Sequence, residues 1–213
     1  MTLKLNGSSS GFVAIDAPAA AGGNTLVLPP DNGSNGEFLQ TNGSGTLDWA
    51  AVSSGFETEE YDEWRLTTSF TGAVNPLTNN LERPDTNSFE KIGTGVSQSS
   101  GVWTFPNTGK WLITTNSAHY KQSTVARWPG SIHYTTVDNG SNWVEAATGW
   151  AWMYYASNSA GNTVTLRTLF DCTDTSTHKF KWAINDSDGE TTTTVGDTGA
   201  NKTYISFWKI GST

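Results

Sequence analysis

The stretch KFKWAI, residues 179–184, alternates between charged and large apolar residues up to its last two positions. Successive side chains of a β-strand point to opposite faces, so this pattern predicts a strand that turns Phe180, Trp182 and Ile184 inward. Lys179 and Lys181 are then expected to face the solvent. Such a strand needs partners for its backbone N–H and C=O groups, which the rest of the chain has to supply.

Similar alternating segments lie on both sides of this stretch, separated by residues that favour turns. They are residues 64–70, 101–105, 110–120, 131–137, 143–155, 162–171 and 203–210. No segment has a convincing helical period. A series of about eight strands with turns between them predicts an all-β fold, namely an antiparallel jelly-roll β-sandwich.

The last segment is apolar on both of its predicted faces. Tyr204, Trp208 and Ile210 alternate with Ile205 and Phe207. Strands that are apolar on both faces are typically buried on both sides. We therefore expect residues 203–210 to form a central strand.

Composition and charge exclude several classes of partner. The formal net charge is −8 and no basic stripe occurs, so a nucleic-acid-binding role has no electrostatic basis. No apolar run approaches the roughly 18 residues of a spanning helix, so we expect no membrane insertion. The start, MTLKLNGSSSG, has no apolar stretch of the kind found in secretory signals.

Catalytic motifs are sparse, and we predict a protein that is not an enzyme. No Gly-x-Ser-x-Gly elbow and no phosphate-binding glycine loop that ends in Lys-Ser/Thr is present. The three histidines, His119, His133 and His178, have no metal-ligand spacing. No catalytic residue is therefore assigned.

Acidic residues cluster in two parts of the chain, and each cluster has two interpretations. The first comprises Glu57, Glu59, Glu60, Asp62 and Glu63, and the second comprises Asp171, Asp174, Asp186, Asp188 and Glu190. Either cluster is a solvated acidic face or part of a calcium site, since calcium takes several convergent oxygen ligands. Asp186, Asp188 and Glu190 are the candidate calcium ligands, and calcium is the one candidate cofactor.

Aromatic residues are the second lead to a ligand site. Most of the ten Trp residues are expected in the core or in a subunit interface, where large aromatic rings are usually buried. Trp128 lies in a predicted loop, Trp143 lies where a predicted loop meets the strand 143–155, and Tyr134 lies on a predicted strand between them. These three residues are the candidate ligand-binding residues, with stacking on a sugar ring as the expected chemistry.

The first 55 residues have a different character from the rest. They hold nine of the 22 glycines, and Asn-Gly-Ser turns recur at residues 6–8, 32–34 and 42–44. Small apolar groups persist between these turns, for example Phe38-Leu39. A disordered linker is one interpretation, because Gly/Ser-rich segments are usually flexible. The persistent apolar groups instead favour an ordered stem, residues 1–55, in which sister chains cover what one chain leaves exposed.

Two segments resemble a known family of β-sandwiches. Residues 101–111, GVWTFPNTGKW, resemble the strand-Pro-x-x-Gly-aromatic signature of C1q/TNF-like jelly rolls, and residues 203–211, TYISFWKIG, are similar to the closing strand of that family. The resemblance implies a C1q/TNF-like jelly-roll head domain over residues 56–213. It also implies a homotrimer.

The amino-terminal stretch resembles a different class of protein. Residues 35–50, NGEFLQTNGSGTLDWA, are similar to segments of phage tail fibres and other virion appendages. The resemblance implies that residues 1–55 contact other virion proteins. It also places the protein on the phage particle, in a tail fibre, a spike or a head fibre.

Three functional hypotheses follow. The first is a trimeric structural component of a phage virion that mediates host attachment by binding a surface glycan or protein. The second is a carbohydrate-binding module of a cellular secreted system. The third is a glycan-degrading tailspike, which would need a pair of acids across a groove that the sequence does not identify.

Overall fold

The computed structural model describes residues 3–15, 18–20, 22–23, 25–51, 58–86, 89–154, 159–186 and 192–213. The chain divides into two compact units, Met1–Glu57 and Thr58–Thr213. Every regular element of the described residues is a β-strand. Across the same residues, there is no helix with the length and apolar character needed to cross a membrane.

The second unit is an antiparallel β-sandwich, as the sequence predicts. Its strands are β5 (Tyr61–Leu66), β6 (Phe70–Thr71), β7 (Leu81–Glu82), β8 (Ser97–Ser99), β9 (Val102–Thr104), β10 (Gly109–Lys121), β11 (Pro129–Thr136), β12 (Val144–Trp150), β13 (Ala160–Cys172), β14 (Lys179–Asp186), β15 (Thr193–Thr194) and β16 (Tyr204–Gly211). The short strands β7, β8 and β15 are additional to those predicted, and the predicted strand 64–70 is interrupted after Leu66 and resumes as β6.

These strands form two sheets that face each other across the core. The β10 sheet has the order β6-β15-β10-β16-β5-β7, with β13 paired along the whole of β10. The β11 sheet has the order β12-β11-β14-β9-β8. Strands that are distant in sequence pair within each sheet, which is the connectivity of a jelly roll.

The core lies between the two sheets and is rich in aromatic side chains. Phe180, Trp182 and Ile184 are buried in it, as the alternation of KFKWAI predicts. Cys172 also belongs to this cluster and is fully buried. The prediction that Lys179 faces the solvent is wrong: its side chain is buried, and its ammonium group donates to the Thr175 carbonyl over 2.7 Å.

Two buried histidines occupy a polar part of the interior. His133 lies between the hydroxyls of Thr115, 2.7 Å from its Nε2, and Thr168, 2.8 Å from its Nδ1. His119 has Ser117 at 2.9 Å from its Nε2 and Thr194 at 3.2 Å from its Nδ1. Both imidazoles are therefore hydrogen-bonded through both ring nitrogens.

The carboxy-terminal strand β16 lies between β10 and β5, so its predicted central position is confirmed. Ile205 and Phe207 are fully buried in the core. The opposite face is only half-buried in one chain, which differs from the predicted burial on both sides.

An apolar row crosses this opposite face of the β10 sheet. Leu169, Leu112, Trp208 and Tyr61 are paired in direct register across β13, β10, β16 and β5. Directly paired residues share a face of the sheet. Leu169 is 60% exposed and the other three are half-buried, so one chain leaves this apolar row incompletely covered.

The first unit consists of two β-hairpins. β1 (Leu3–Asn6) pairs with β2 (Phe12–Ile15), and β3 (Glu37–Thr41) pairs with β4 (Leu47–Ala51). Val27 forms a parallel bridge with Thr46, the residue directly before β4.

Most large apolar side chains of this unit are exposed in one chain. Their exposed fractions range from 45% to 68%, and the residues are Leu3, Leu5, Phe12, Ile15, Leu26, Val27, Leu28, Phe38 and Leu39. No described residue of this unit belongs to a cluster of buried apolar residues. The hairpins therefore have backbone pairing but no core of their own.

Close packing of Trp49 on Gly33 gives a test of the second hairpin. Gly33 has a φ of 65°, and a Cβ built there would lie 2.5 Å from the Trp49 ring. Gly36 has a φ of 91° with no atom within 4 Å of its Cβ position. A left-handed alanine costs about 1–2 kcal/mol at either site, but only Gly33→Ala also displaces the ring.

We expect Gly33→Ala to accelerate amide hydrogen exchange in residues 25–51 roughly tenfold more than Gly36→Ala does. The melting temperature of the second unit should not change in either variant. Equal exchange rates in the two variants would show that Trp49 does not pack on Gly33.

Candidate functional site

The candidate ligand residues Tyr134 and Trp143 lie together on the solvent face of the β11 sheet, with Lys181 between them. Lys181 pairs directly with Tyr134 across β14 and β11. Its Nζ lies 4.8 Å from the centre of the Tyr134 ring and 4.7 Å from that of Trp143. An ammonium group at these distances is attracted to the faces of both rings.

Lys181 makes no hydrogen bond or ion pair with the described residues beyond these ring contacts. Burial lowers the pKa of its ammonium group. The carboxylate on this face of the sheet that lies nearest in register, Glu145, pairs with Tyr134 on the side away from Lys181. Lys202 and Lys209, in contrast, form ion pairs with Asp197 and Glu59. Lys181 thus offers N–H donors that its own sheet does not use.

A rigid turn positions Trp143. One carboxylate oxygen of Asp138 accepts hydrogen bonds from the Thr136 hydroxyl at 2.6 Å and the Asn142 backbone N–H at 2.9 Å. These bonds lower the pKa of Asp138 to about 2. Gly140 in this turn has a φ of 88°, a left-handed conformation that favours glycine, and its Cβ position lies in van der Waals contact with the Trp143 indole at 3.5 Å.

A pocket of about 240 Å³ adjoins Tyr134 on the same sheet. Its floor is formed by Ile132 and Ala183, which are buried, and its wall includes Asn75 and Asn185. The loop that carries Asn75 is fixed to β14 by two hydrogen bonds between Val74 and Ile184, of 2.8 and 3.0 Å. Apolar walls with a few amide groups are typical of small-molecule sites.

The third candidate residue, Trp128, does not belong to this group. It lies six residues before Tyr134, which corresponds to about 20 Å along an extended chain. Its ring packs on Trp152 with 4.9 Å between centres, and Trp152 stacks on Tyr154 at 6.2 Å. The predicted aromatic site is therefore two separate clusters.

The sequence pattern predicts Lys181 only as a solvent-facing residue and does not indicate its contact with the Tyr134 ring. The alternation of KFKWAI places it on the same face as Ala183, but only the pairing of β14 with β11 brings Tyr134 beside it. A register between strands that are about 45 residues apart is not encoded in a local pattern.

The calcium prediction is only partly within the described residues. Asp188 and Glu190 lie outside them. Asp186 is buried, and its Oδ2 accepts bonds from the Thr192 backbone N–H at 2.8 Å and hydroxyl at 2.9 Å. Among the described residues, no group of three or more His, Cys, Asp or Glu side chains could hold a metal ion. The calcium site stays a prediction.

Two residues of the acidic cluster near residue 60 fit neither the solvated face nor the calcium site that the sequence allows. Glu60 and Asp62 are buried, so they do not form a solvated face. Glu60 accepts from the Gly95 backbone N–H at 2.9 Å and the Asn107 amide at 3.0 Å. Asp62 forms a bidentate ion pair with Arg83, with both N–O distances 2.9 Å. Their oxygens are occupied by internal partners, not arranged for calcium.

The comparisons with known proteins agree with this architecture. The Eiger TNF of S. frugiperda matches with a TM-score of 0.55 and 9% identity, over 74% of this chain and 96% of the other. Murine APRIL matches with a TM-score of 0.49 and 10% identity, over 70% and 98%. No family model and no curated protein matches the sequence. The similarity to Eiger, together with the sheet order, confirms that this chain has the antiparallel jelly-roll fold of TNF-like proteins.

Proposed function

We propose that the protein is a trimeric, non-enzymatic component of a phage virion that attaches the particle to the host surface. The observation that carries this proposal is the exposure of nearly every large apolar side chain in the first unit. Isolated two-stranded hairpins are marginally stable in water, and apolar surface of this extent favours burial against other chains. Sister copies supply such cover symmetrically.

The apolar row of the second unit supports the same assembly. Leu169, Leu112, Trp208 and Tyr61 form a band across the β10 sheet that one chain leaves half-covered. Aromatic and apolar residues at the centre of a surface are typical of subunit interfaces. A threefold arrangement follows from the C1q/TNF-like resemblance of the sequence, with the first unit as the stem and the second as the head.

A trimeric fibre suits attachment to repeated receptors. Three identical sites on one axis raise the effective affinity of a weak contact when the receptor is also repeated. Contacts between residues 1–55 and other virion proteins would leave the head free to meet the host.

Internal bonding of the buried acids supports a role without catalysis. A glycan-degrading tailspike needs one carboxyl group as acid and a second as nucleophile or base, both facing the substrate. Glu60 and Asp62 instead hold backbone amides, Asn107 and Arg83. Incubation with host polysaccharide is expected to release no new reducing ends.

Immunogold electron microscopy tests the placement on the virion. Antibodies against the purified chain are expected to label projections on phage particles whose genome encodes it. Pre-incubation of host cells with the purified protein should also reduce particle adsorption. Unlabelled particles, together with label confined to the soluble fraction of the lysate, would contradict the proposal.

A further inference from the structure

A positive charge between two aromatic rings and a pocket with amide groups adjoin each other at Tyr134, on the solvent face of the β11 sheet. Lys181 and Trp143 lie on one side of Tyr134, and the pocket floor of Ile132 and Ala183 lies on the other. Four of these residues belong to the paired strands β11 and β14, and Trp143 lies in the loop between β11 and β12. No rearrangement is needed to bring them together.

From this arrangement we infer that the solvent face of the β11 sheet binds a pyranose that carries a carboxylate, such as a uronic or sialic acid residue. The inference rests on the proposed attachment role and names the chemistry of the receptor. The ligand is a sugar acid because the site places ring faces and amides beside the Lys181 ammonium group, which has no acidic partner among the described residues.

The charge of the ligand follows from Lys181. Its ammonium group is partly desolvated between two rings and has no carboxylate partner among the described residues. A carboxylate at the pocket edge would supply the missing acceptor through a charge-assisted hydrogen bond. The chain as a whole carries a net charge of −8, so attraction of an anion has to come from this local group.

The size and lining of the pocket favour one sugar ring. Its volume of about 240 Å³ is below the range of roughly 300–1,000 Å³ that accommodates drug-sized ligands. Asn75 and Asn185 carry amides that both donate and accept, as hydroxyl groups require. The apolar floor suits the C–H face of a pyranose.

Titration of the full-length protein with monosaccharides tests the inference by saturation-transfer NMR and calorimetry. The probes are D-glucuronate and N-acetylneuraminate, with D-glucose as the neutral control. We expect binding of at least one acid with a dissociation constant on the order of millimolar, because a partly exposed ion pair contributes little. The acid that binds identifies the source of the carboxylate, and glucose should not bind.

Variants locate the binding. Lys181→Gln should weaken acid binding about threefold to fivefold, Lys181→Arg should preserve it, and Trp143→Ala should also weaken it. Lys110→Gln removes an exposed lysine from the other sheet and is the matched control. Circular dichroism confirms that each variant is folded.

Three results would overturn the inference: equal binding of glucose, unchanged binding in Lys181→Gln, or no binding of either acid at tens of millimolar. None of these results bears on particle labelling or adsorption, which test the attachment role separately. Loss of labelling with intact acid binding would instead contradict the virion role and leave the site standing.

Discussion

Lowering the pH from 7 to 5 is expected to reduce the free energy of unfolding by about 2 kcal/mol for each of the two buried histidines. Burial lowers the pKa of His119 to about 4 and that of His133 to about 3. Each imidazole therefore stays neutral in the folded protein and becomes protonated on unfolding, where its pKa is near 6.5.

The direction of this change in unfolding free energy follows from proton uptake by the unfolded chain. Below pH 6.5 the unfolded chain binds protons that the folded chain does not, so acid stabilises the unfolded state. The loss begins near pH 6.5 and continues until the folded-state values of about 4 and about 3 are reached. Chemical denaturation at a series of pH values, at one protein concentration, measures this loss of unfolding free energy.

Glutamine variants isolate the contribution of the two histidines to the pH dependence of stability. The double variant His119→Gln/His133→Gln keeps a donor and an acceptor at each site but has no group that titrates between pH 5 and 6.5. We expect its stability to vary much less over this range. Burial raises the pKa of Glu63, which acts in the opposite direction, so the difference between variant and parent is the informative quantity.

His178→Gln is the matched control. His178 lies beside the hydroxyls of Thr173 and Thr177 in a turn, not between the sheets. Its replacement should leave the pH dependence of the parent in place. A double variant whose stability falls as steeply as that of the parent would show that other groups cause the acid sensitivity.

Replacing exposed apolar residues of the first unit is expected to dissociate the proposed trimer. Phe38 and Leu39 are 45% and 46% exposed in one chain and point to opposite sides of β3. Burying a side chain of this size contributes roughly 1.5–3 kcal/mol, and each substitution acts in all three chains. Phe38→Ser/Leu39→Ser should therefore raise the dissociation constant by several orders of magnitude.

Gln40→Ser provides the control for the same strand. Gln40 is exposed and polar, so its replacement removes little apolar surface. Sedimentation velocity over a range of concentrations distinguishes the variants. If both variants dissociate at the same concentration as the parent, the stem does not hold the chains together.

Local alternation predicts much of the fold because the period of a strand depends only on backbone geometry. The burial of Phe180, Trp182 and Ile184 and the central position of β16 follow from it. The burial of Lys179 does not, since it depends on the Thr175 carbonyl in the preceding turn.

Contacts between segments that are distant in the sequence account for the other features that local alternation does not predict. The pairing of Asp62 with Arg83 joins residues 21 positions apart, and no local pattern indicates it. The pocket beside Tyr134 needs Val74 to pair with Ile184. Aromatic composition alone grouped Trp128 with Tyr134 and Trp143, although the length of β11 separates them.

The molar mass of the intact chain in solution tests the central claim most directly. Multi-angle light scattering at micromolar concentration should give three times the 22.9 kDa mass of one chain. Hydrogen exchange on the same sample should show protection in β1 to β4. A folded monomer that protects these four strands from exchange would contradict the account, because the hairpins would then be ordered with no other chain to cover them.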